Sequence, residues 1–337
     1  MAGGQERVLR RRIKSVQSTK KITKAMELIA ASRIAKAQQR VAAARPYSEQ
    51  ITKVIGNLAR AGAGSDARLL QQPEQVNTVC YVAVAGDRGL AGGYNSNIIR
   101  RTERAIDADL KAGRQTALVT VGKKATNYFR FRGFDIAAHF EGFLDTPSYE
   151  NARQISSFVA EHFDAGDYDQ VKLVYTRFLS VGSQIVTDVP YMPLDAEALG
   201  AGDDGSGDSG EVTAAGARHP YEFEPSPEDI LDRLLPRYAE ARLYAALLEG
   251  AASFFAAQQR AMKSATDNAE DLITRLSRQM NRARQDSITT EIMEIVGGAE
   301  ALRQGKSDSE DLLVDSAGGT TDIFRPTYDP SSKRASR

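Results

Sequence analysis

Little in this chain is suited to covalent or redox chemistry. Among 337 residues there are one cysteine, three histidines and no tryptophan. A single cysteine excludes an internal disulfide framework and a cysteine-built metal site. Cys80 sits in the apolar run "NTVCYVAVA", which points to a buried thiol rather than a reactive one. No apolar run approaches the ~20 residues that span a bilayer, and "MAGGQERVLRRRIKS" has no apolar stretch to make it a secretory signal. Net charge is missing as well: Lys+Arg and Asp+Glu both number 44, so overall charge singles out neither nucleic acid nor a membrane as partner. These absences set a soluble cytoplasmic protein as the baseline. Apolar residues still make up 42% of the chain, enough for a core, and 337 residues can hold two domains or one with long appendages.

Glycine is absent from Gln5 to Ile55, and that gap is the first sign of a long helix. Ile22, Met26, Ile29, Arg33, Ala37, Val41, Ala44, Ser48, Ile51, Ile55 and Leu58 trace a stripe of period near 3.6. Pro46 predicts a kink or a join between two pieces, and "ARAGAGSDA" ends the helix. At the other end, steps of three and four from Leu231 pass through Tyr238, Leu248, Phe255, Met262, Ala269, Leu276, Met280 and Ala283, broken by Gln259, Thr266 and Ser287. Such a seam predicts a coiled coil. "SPEDI" supplies its start, with Ser226 as N-cap and Pro227 in the first turn. Some 70 residues of helix reach roughly 100 Å, several times the width of a compact domain. Neither stripe can be buried alone, so an antiparallel pair of the two chain ends is expected.

Charge is uneven along the chain. Between Glu6 and Arg60 there are fourteen Lys/Arg against three acids. A solvated face, an acidic protein partner and a nucleic-acid footprint all fit such a helix. Tyr47 is its only aromatic, so the interleaved rings that stack on bases are missing.

From Gln75 to Leu194 strand and helix patterns alternate. "VCYVAVA" (79–85), "TALVTVG" (116–122) and "VKLVYTRF" (171–178) read as buried strands separated by amphipathic helices, and "SQIVTDVPYMPL" adds an antiparallel finishing strand. The pattern predicts a largely parallel, helix-covered sheet. The fold class is therefore α/β plus a long antiparallel coiled coil, with a Rossmann-like domain inserted between the paired termini. Its expected parts are a helix over 1–60, the α/β domain over 75–195, a flexible acidic Gly-rich loop over 196–225, a second coiled-coil helix over 226–302, and a disordered tail over 303–337.

The stretch "VAVAGDRGLAGGYNSN" (82–97) looks like a phosphate-binding loop but fits no known template. Its glycines are Gly86, Gly89, Gly92 and Gly93, whereas the dinucleotide fingerprint is G-x-G-x-x-G followed by an acid about 20 residues on. The second strand ends in "VGKK", with no carboxylate for a ribose, and no Lys-Ser/Thr pair follows the last glycine. The loop is therefore either a nucleotide site, with Gly122-Lys123-Lys124 holding a 2′-phosphate, or a sharp structural reversal. His139, His162 and His219 are scattered, and Glu291/Glu294 is ordinary helix decoration. No catalytic residue, cofactor site or metal site is read from the sequence.

Taken together, "RRIKSVQSTKKITKAMELIAASRIAKAQ" (11–38), "GDRGLAGGYNSNI" (86–98), "AMKSATDNAEDLI" (261–273) and "ITTEIMEIVGGAEA" (288–301) resemble the gamma subunit of F-type ATP synthases in its bacterial form. The likeness covers residues 5–302, and its terminal motifs are specific as a set. It implies a rotating central shaft with no catalytic site of its own. Proton flow through a membrane ring would turn this shaft and so drive ATP synthesis or hydrolysis on the beta subunits. Implied partners are the alpha and beta subunits of the hexamer, the epsilon subunit and the c-subunit ring, without nucleic acid or membrane insertion. The implied location is peripheral, on the cytoplasmic side of the cell membrane. The resemblance places coupling contacts at Met26, Arg284, Gln285, Thr289 and Glu291. Arg33, Lys36 and Arg40 are expected to face acidic beta-subunit loops, and Ile288, Ile292, Met293, Ile295 and Val296 to form a greasy bearing. Residues 198–220 and the tail exceed the family's core, and with Cys80 alone the chain lacks the two-cysteine insert of some photosynthetic relatives. The tail is expected to emerge at the membrane-distal mouth of the hexamer and hinder rotation in one direction. The alternatives are a basic coiled-coil nucleic-acid binder and a nucleotide-dependent enzyme using Gly86–Gly93.

Overall fold

The computed structural model describes residues 2–60, 68–194 and 226–316. The acidic loop expected at 198–220, and the expected tail from 317 on, lie outside the described residues. Two compact units are present: Ser18–Glu270, and Met1–Gln17 together with Asp271–Arg337.

Helix α1 spans Ala2–Arg60 and runs unbroken through Pro46. Pro46 therefore marks no join; its missing N–H removes the i→i−4 bond to the Ala42 carbonyl. The helix α5 spans Pro227–Ser316. The expected N-cap holds, because Asp229 N donates to Ser226 Oγ at 3.2 Å. At its far end the helix continues past Leu302 to Ser316, where an unstructured tail was expected from 303.

Between the two helices lie β1 (Thr78–Val84), α2 (Tyr94–Lys111), β2 (Gln115–Val121), α3 (Lys123–Phe131), β3 (Ala138–Phe140), α4 (Tyr149–Ala165), β4 (Gln170–Phe178) and β5 (Gln184–Met192). Their order in the sheet is β3-β2-β1-β4-β5. β1, β2, β3 and β4 are parallel, and β5 returns antiparallel. The short edge strand β3 carries no alternating signal and was not anticipated. The sheet is covered on both faces, which is why its strands read as apolar runs. Val79, Tyr81 and Ala83 pack with α2 and α3, while Cys80, Val82 and Val84 pack with α4, Ile51, Ile55 and Leu58 of α1, and the first turns of α5. Ser148 caps α4 through a capping box with Asn151, and left-handed Gly166 closes it.

Within the unit Ser18–Glu270, α1 and α5 run antiparallel. Lys20 Nζ lies 3.1 Å from Glu270 Oε1, and the Thr23 and Thr266 hydroxyls are 2.8 Å apart in a buried hydrogen bond. The α5 seam falls where the heptad reading puts it: Leu231, Tyr238, Leu248, Phe255, Met262, Thr266 and Ala269 are buried. The α1 stripe needs a correction. Residues 20, 23, 27, 30, 34, 37, 41, 44, 48, 51, 55 and 58, at strict three–four spacing, are all buried or half-buried. Ile22 and Ile29, assigned to the stripe, are 58% and 54% exposed. The period is 3.5 rather than 3.6, and Thr23 belongs to the seam because Thr266 satisfies it.

In the other unit the same spacing recurs. Glu6, Leu9, Ile13 and Val16 of α1 are half-buried, as are Ile273, Met280, Ala283 and Ser287 of α5, with Leu276 buried among them. From Ile288 to Arg303 every residue of α5 is exposed.

Candidate functional site

The glycine loop leaves β1 at the point where the strand order reverses, the place where dinucleotide folds hold their cofactor. Here α5 fills that crevice. A side chain on Gly86 would lie 3.0 Å from the Phe254 ring. The Tyr94 hydroxyl donates to the Gly250 carbonyl at 3.0 Å, and Ser253 Oγ donates to the Thr176 carbonyl at 3.1 Å. Tyr94 and Phe254 meet edge to face with centroids 5.4 Å apart. The space left among Gly86, Tyr94, Gly250 and Phe254 is about 10 Å³, room for one water at most.

The polar residues of the loop act as internal staples. The Asp87 carboxylate accepts the backbone N–H groups of Lys123 at 3.1 Å, Gly142 at 3.0 Å and Leu144 at 3.1 Å. Asn95 accepts from Gly86 N and donates to the Arg88 carbonyl. Gly122 is held at φ +106°, where a Cβ would sit 2.1 Å from the Ala85 carbonyl oxygen, so only glycine fits. Arg88 pairs with Asp145. Of the two readings of the loop, the sharp structural reversal is the one observed.

Elsewhere in the α/β domain the polar groups are likewise spent on structure. His162 Nδ1 lies 2.9 Å from the Phe158 carbonyl, and its ring stacks on Tyr168. His139 lies in β3, and His219 lies outside the described residues. Burial pushes the Cys80 thiol up to about 12, so it stays protonated and unreactive. Burial drives the Asp109 carboxyl upward, but the Tyr81 hydroxyl, Lys172 and Arg114 outweigh it and hold it below its ordinary range.

The basic residues of α1 line a groove of about 340 Å³ formed by Arg33, Lys36, Ala37, Arg40, Asp145, Thr146 and Phe255. Lys36 and Arg40 are exposed. Arg33 is not simply free for an outside partner. It lies 5.4 Å over the Phe255 ring and 3.3 Å from Asp145 Oδ2. Met26 is half-buried nearby on α1. Asp145 gave no signal in the sequence, since its partner Arg33 is 112 positions away. Ile22, Leu28 and Ile29 are also exposed apolar residues of α1; a strict heptad count would have found them.

In the unit that holds the end of α5, Arg284, Gln285, Thr289 and Glu291 are exposed, as are Ile288, Ile292, Met293, Ile295 and Val296. Ile295 is 72% exposed and Met293 67%. Exposed apolar patches on proteins commonly serve contact with other molecules.

Comparison with known proteins agrees with this anatomy. A family model described as ATP synthase matches residues 5–302. The ATP synthase gamma chain of Frankia casuarinae is 51% identical over 306 residues, covering 90% of this chain and 99% of that one. The gamma chain of Mycolicibacterium smegmatis is 46% identical over 314 residues, with 89% and 98% covered. Among solved structures, a chain of the Euglena gracilis mitochondrial ATP synthase (OSCP/F1/c-ring) superposes with TM-score 0.62 at 20% identity, covering 90% of this chain and 96% of that one. A chain of the Tetrahymena thermophila central stalk and c-ring gives 0.54 at 23%, with 72% and 99% covered. At those identities the structural likeness speaks for the fold alone. On the family model and the sequence relatives, this chain belongs to the ATP synthase gamma-chain family.

Proposed function

We infer that this chain works by turning rather than by chemistry: as a gamma chain it is the central rotor subunit of an ATP synthase, a complex that makes ATP. One observation carries the mechanical reading. The crevice that would hold a nucleotide is occupied by α5, so the α/β domain grips a long helix instead of a cofactor. The same α5 then carries a bare stretch, residues 288–303, with Ile, Met and Val on it.

A shaft has to transmit torque and still slip past its sleeve. Torque is served by the seam, where α1 and α5 are held by apolar contacts and by the buried Thr23–Thr266 bond. Slip is served by weak contacts. Ile288, Ile292, Met293, Ile295 and Val296 offer non-directional apolar surface to the surrounding alpha and beta subunits, with Arg284, Gln285, Thr289 and Glu291 beside them as exchangeable polar contacts. Lys36, Arg40 and Met26, with Arg33, form a second contact zone toward acidic beta-subunit loops. Exposed ion pairs of this kind are worth about 0–1 kcal/mol, enough to steer without locking. The epsilon subunit and the c ring are the partners of the α/β domain. No helix among the described residues is long and apolar enough to cross a membrane, so attachment to the membrane sector runs through those partners. The location is the cytoplasmic side of the cell membrane, and proton flow is the drive.

A reversible cross-link tests the reading. Ile292→Cys joined by a disulfide to a cysteine on a surrounding beta subunit is expected to stop ATP hydrolysis, and reduction to restore it. Hydrolysis that continues at the parent rate in the fully cross-linked complex overturns the rotor mechanism.

A further inference from the structure

Among the described residues, Asp145 is the one acidic side chain lining the cationic groove of α1. Arg33, Lys36, Arg40 and Phe255 line the same groove. Its position is imposed from behind. Asp87 holds the backbone N–H groups of Gly142 and Leu144, and this staple presents the next residue, Asp145, to the groove. There its carboxylate meets Arg33 from α1 and Arg88 from the glycine loop. The contact with Arg33 is a loose one. At 3.3 Å it is longer than a strong charge-assisted bond, and both side chains keep a third or more of their surface in water, 41% and 33%. An external carboxylate can therefore reach the same guanidinium.

We propose that Asp145 is a positioning residue that meters the grip of Arg33 on the acidic surface the shaft turns against. The internal carboxylate competes for the guanidinium, so each contact with the sleeve forms weakly and releases quickly. Phe255 keeps the guanidinium plane in place throughout the exchange. Removing the charge of Asp145 leaves three cations in the groove with no acid among its lining residues, and it frees Arg88 as well. The external contact then tightens, and the rotor dwells longer at each step. This inference rests on the rotor reading above.

The test is ATP hydrolysis by the assembled complex carrying variants of this chain, at low ionic strength and in high salt. Asp145→Asn is expected to slow turnover about two- to fivefold at low ionic strength, the range one exposed ion pair can supply. The deficit is expected to vanish in high salt, where screening weakens the external contact. Adding Arg33→Gln to Asp145→Asn is expected to shrink the salt-dependent part of the deficit, and Asp145→Glu, which restores the charge, to recover the parent rate. Parent-rate turnover by Asp145→Asn at low ionic strength overturns the proposal. So does a deficit that survives both high salt and Arg33→Gln, or failure of Asp145→Asn to assemble where Asp145→Glu assembles, since each marks a structural role. A complex that hydrolyses ATP normally with its rotor cross-linked would instead sink the rotor reading, so the two failures are told apart.

Discussion

Between Ala239 and Gln258, α5 has no exposed residue; between Ile288 and Arg303 it has no buried one. The two stretches belong to one helix, yet their compositions run against simple expectation. The enclosed stretch, "AEARLYAALLEGAASFFAAQ", is rich in alanine, and the bare stretch carries Ile, Met and Val. Small residues inside allow close approach: Gly250 admits the Tyr94 hydroxyl, and Ser253 reaches the β4 backbone. Among the described residues nothing covers the large side chains of the bare stretch, and exposed apolar surface of this kind commonly serves contact with other proteins. One helix is therefore a core element along one stretch and bare along another.

That contrast can be broken or sharpened by substitution. The largest loss of stability is expected in the enclosed stretch. Phe254→Ala removes a ring 4% exposed that fills the crevice beside Gly86. Thermal or denaturant unfolding should register about 3–5 kcal/mol, and a loss below about 1 kcal/mol would mean that α5 does not plug the crevice.

A smaller effect, about 2 kcal/mol, is expected for Asp109→Asn, whose side chain is 8% exposed and paired with Arg114 and Lys172. The folded protein holds this carboxyl below its ordinary value of 3.8. Its stabilisation is thus present above that value and is lost as pH falls through the lower, folded value. The gap between parent and variant should close in strong acid, and a gap constant with pH would refute the assigned charge.

Glu249, in the enclosed stretch, shifts the other way. Burial raises its carboxyl above 4.5 against the lowering effect of the Phe178 N–H, Arg177 and Arg45. A raised carboxyl stabilises the fold below its unfolded value and loses that advantage as pH rises through the folded one. Glu249→Gln is therefore expected to raise the melting temperature slightly at pH 8, with the gain gone below about pH 4.

The smallest change in stability belongs to the bare stretch. Ile292→Ala and Ile295→Ala should shift the stability of the isolated chain by no more than about 0.5 kcal/mol, while slowing the assembled complex. A large loss in the isolated chain would show that these side chains pack within their own subunit.

Much of this architecture was legible in the sequence where a repeating pattern met a single physical demand. The α5 seam was readable because almost all its positions are apolar. The α1 seam was misplaced at its first turns because Lys20, Thr23 and Glu27 occupy it, and apolarity alone sends the eye to Ile22 and Ile29. The parallel strands announced themselves as apolar runs, whereas the three residues of β3 are too few to carry a pattern.

By itself the sequence determined two long helices, an α/β domain between them, the family to which they belong, and a glycine loop unlike a nucleotide site. Local periodicity and short motifs suffice for that, because each is a property of neighbouring residues. Only the tertiary structure decided that α5 fills the crevice, that Thr23 pairs with Thr266, and that Asp145 engages Arg33. Those contacts join residues far apart in the chain, and nothing in either local segment encodes the distance at which the folded sheet and helices bring them together.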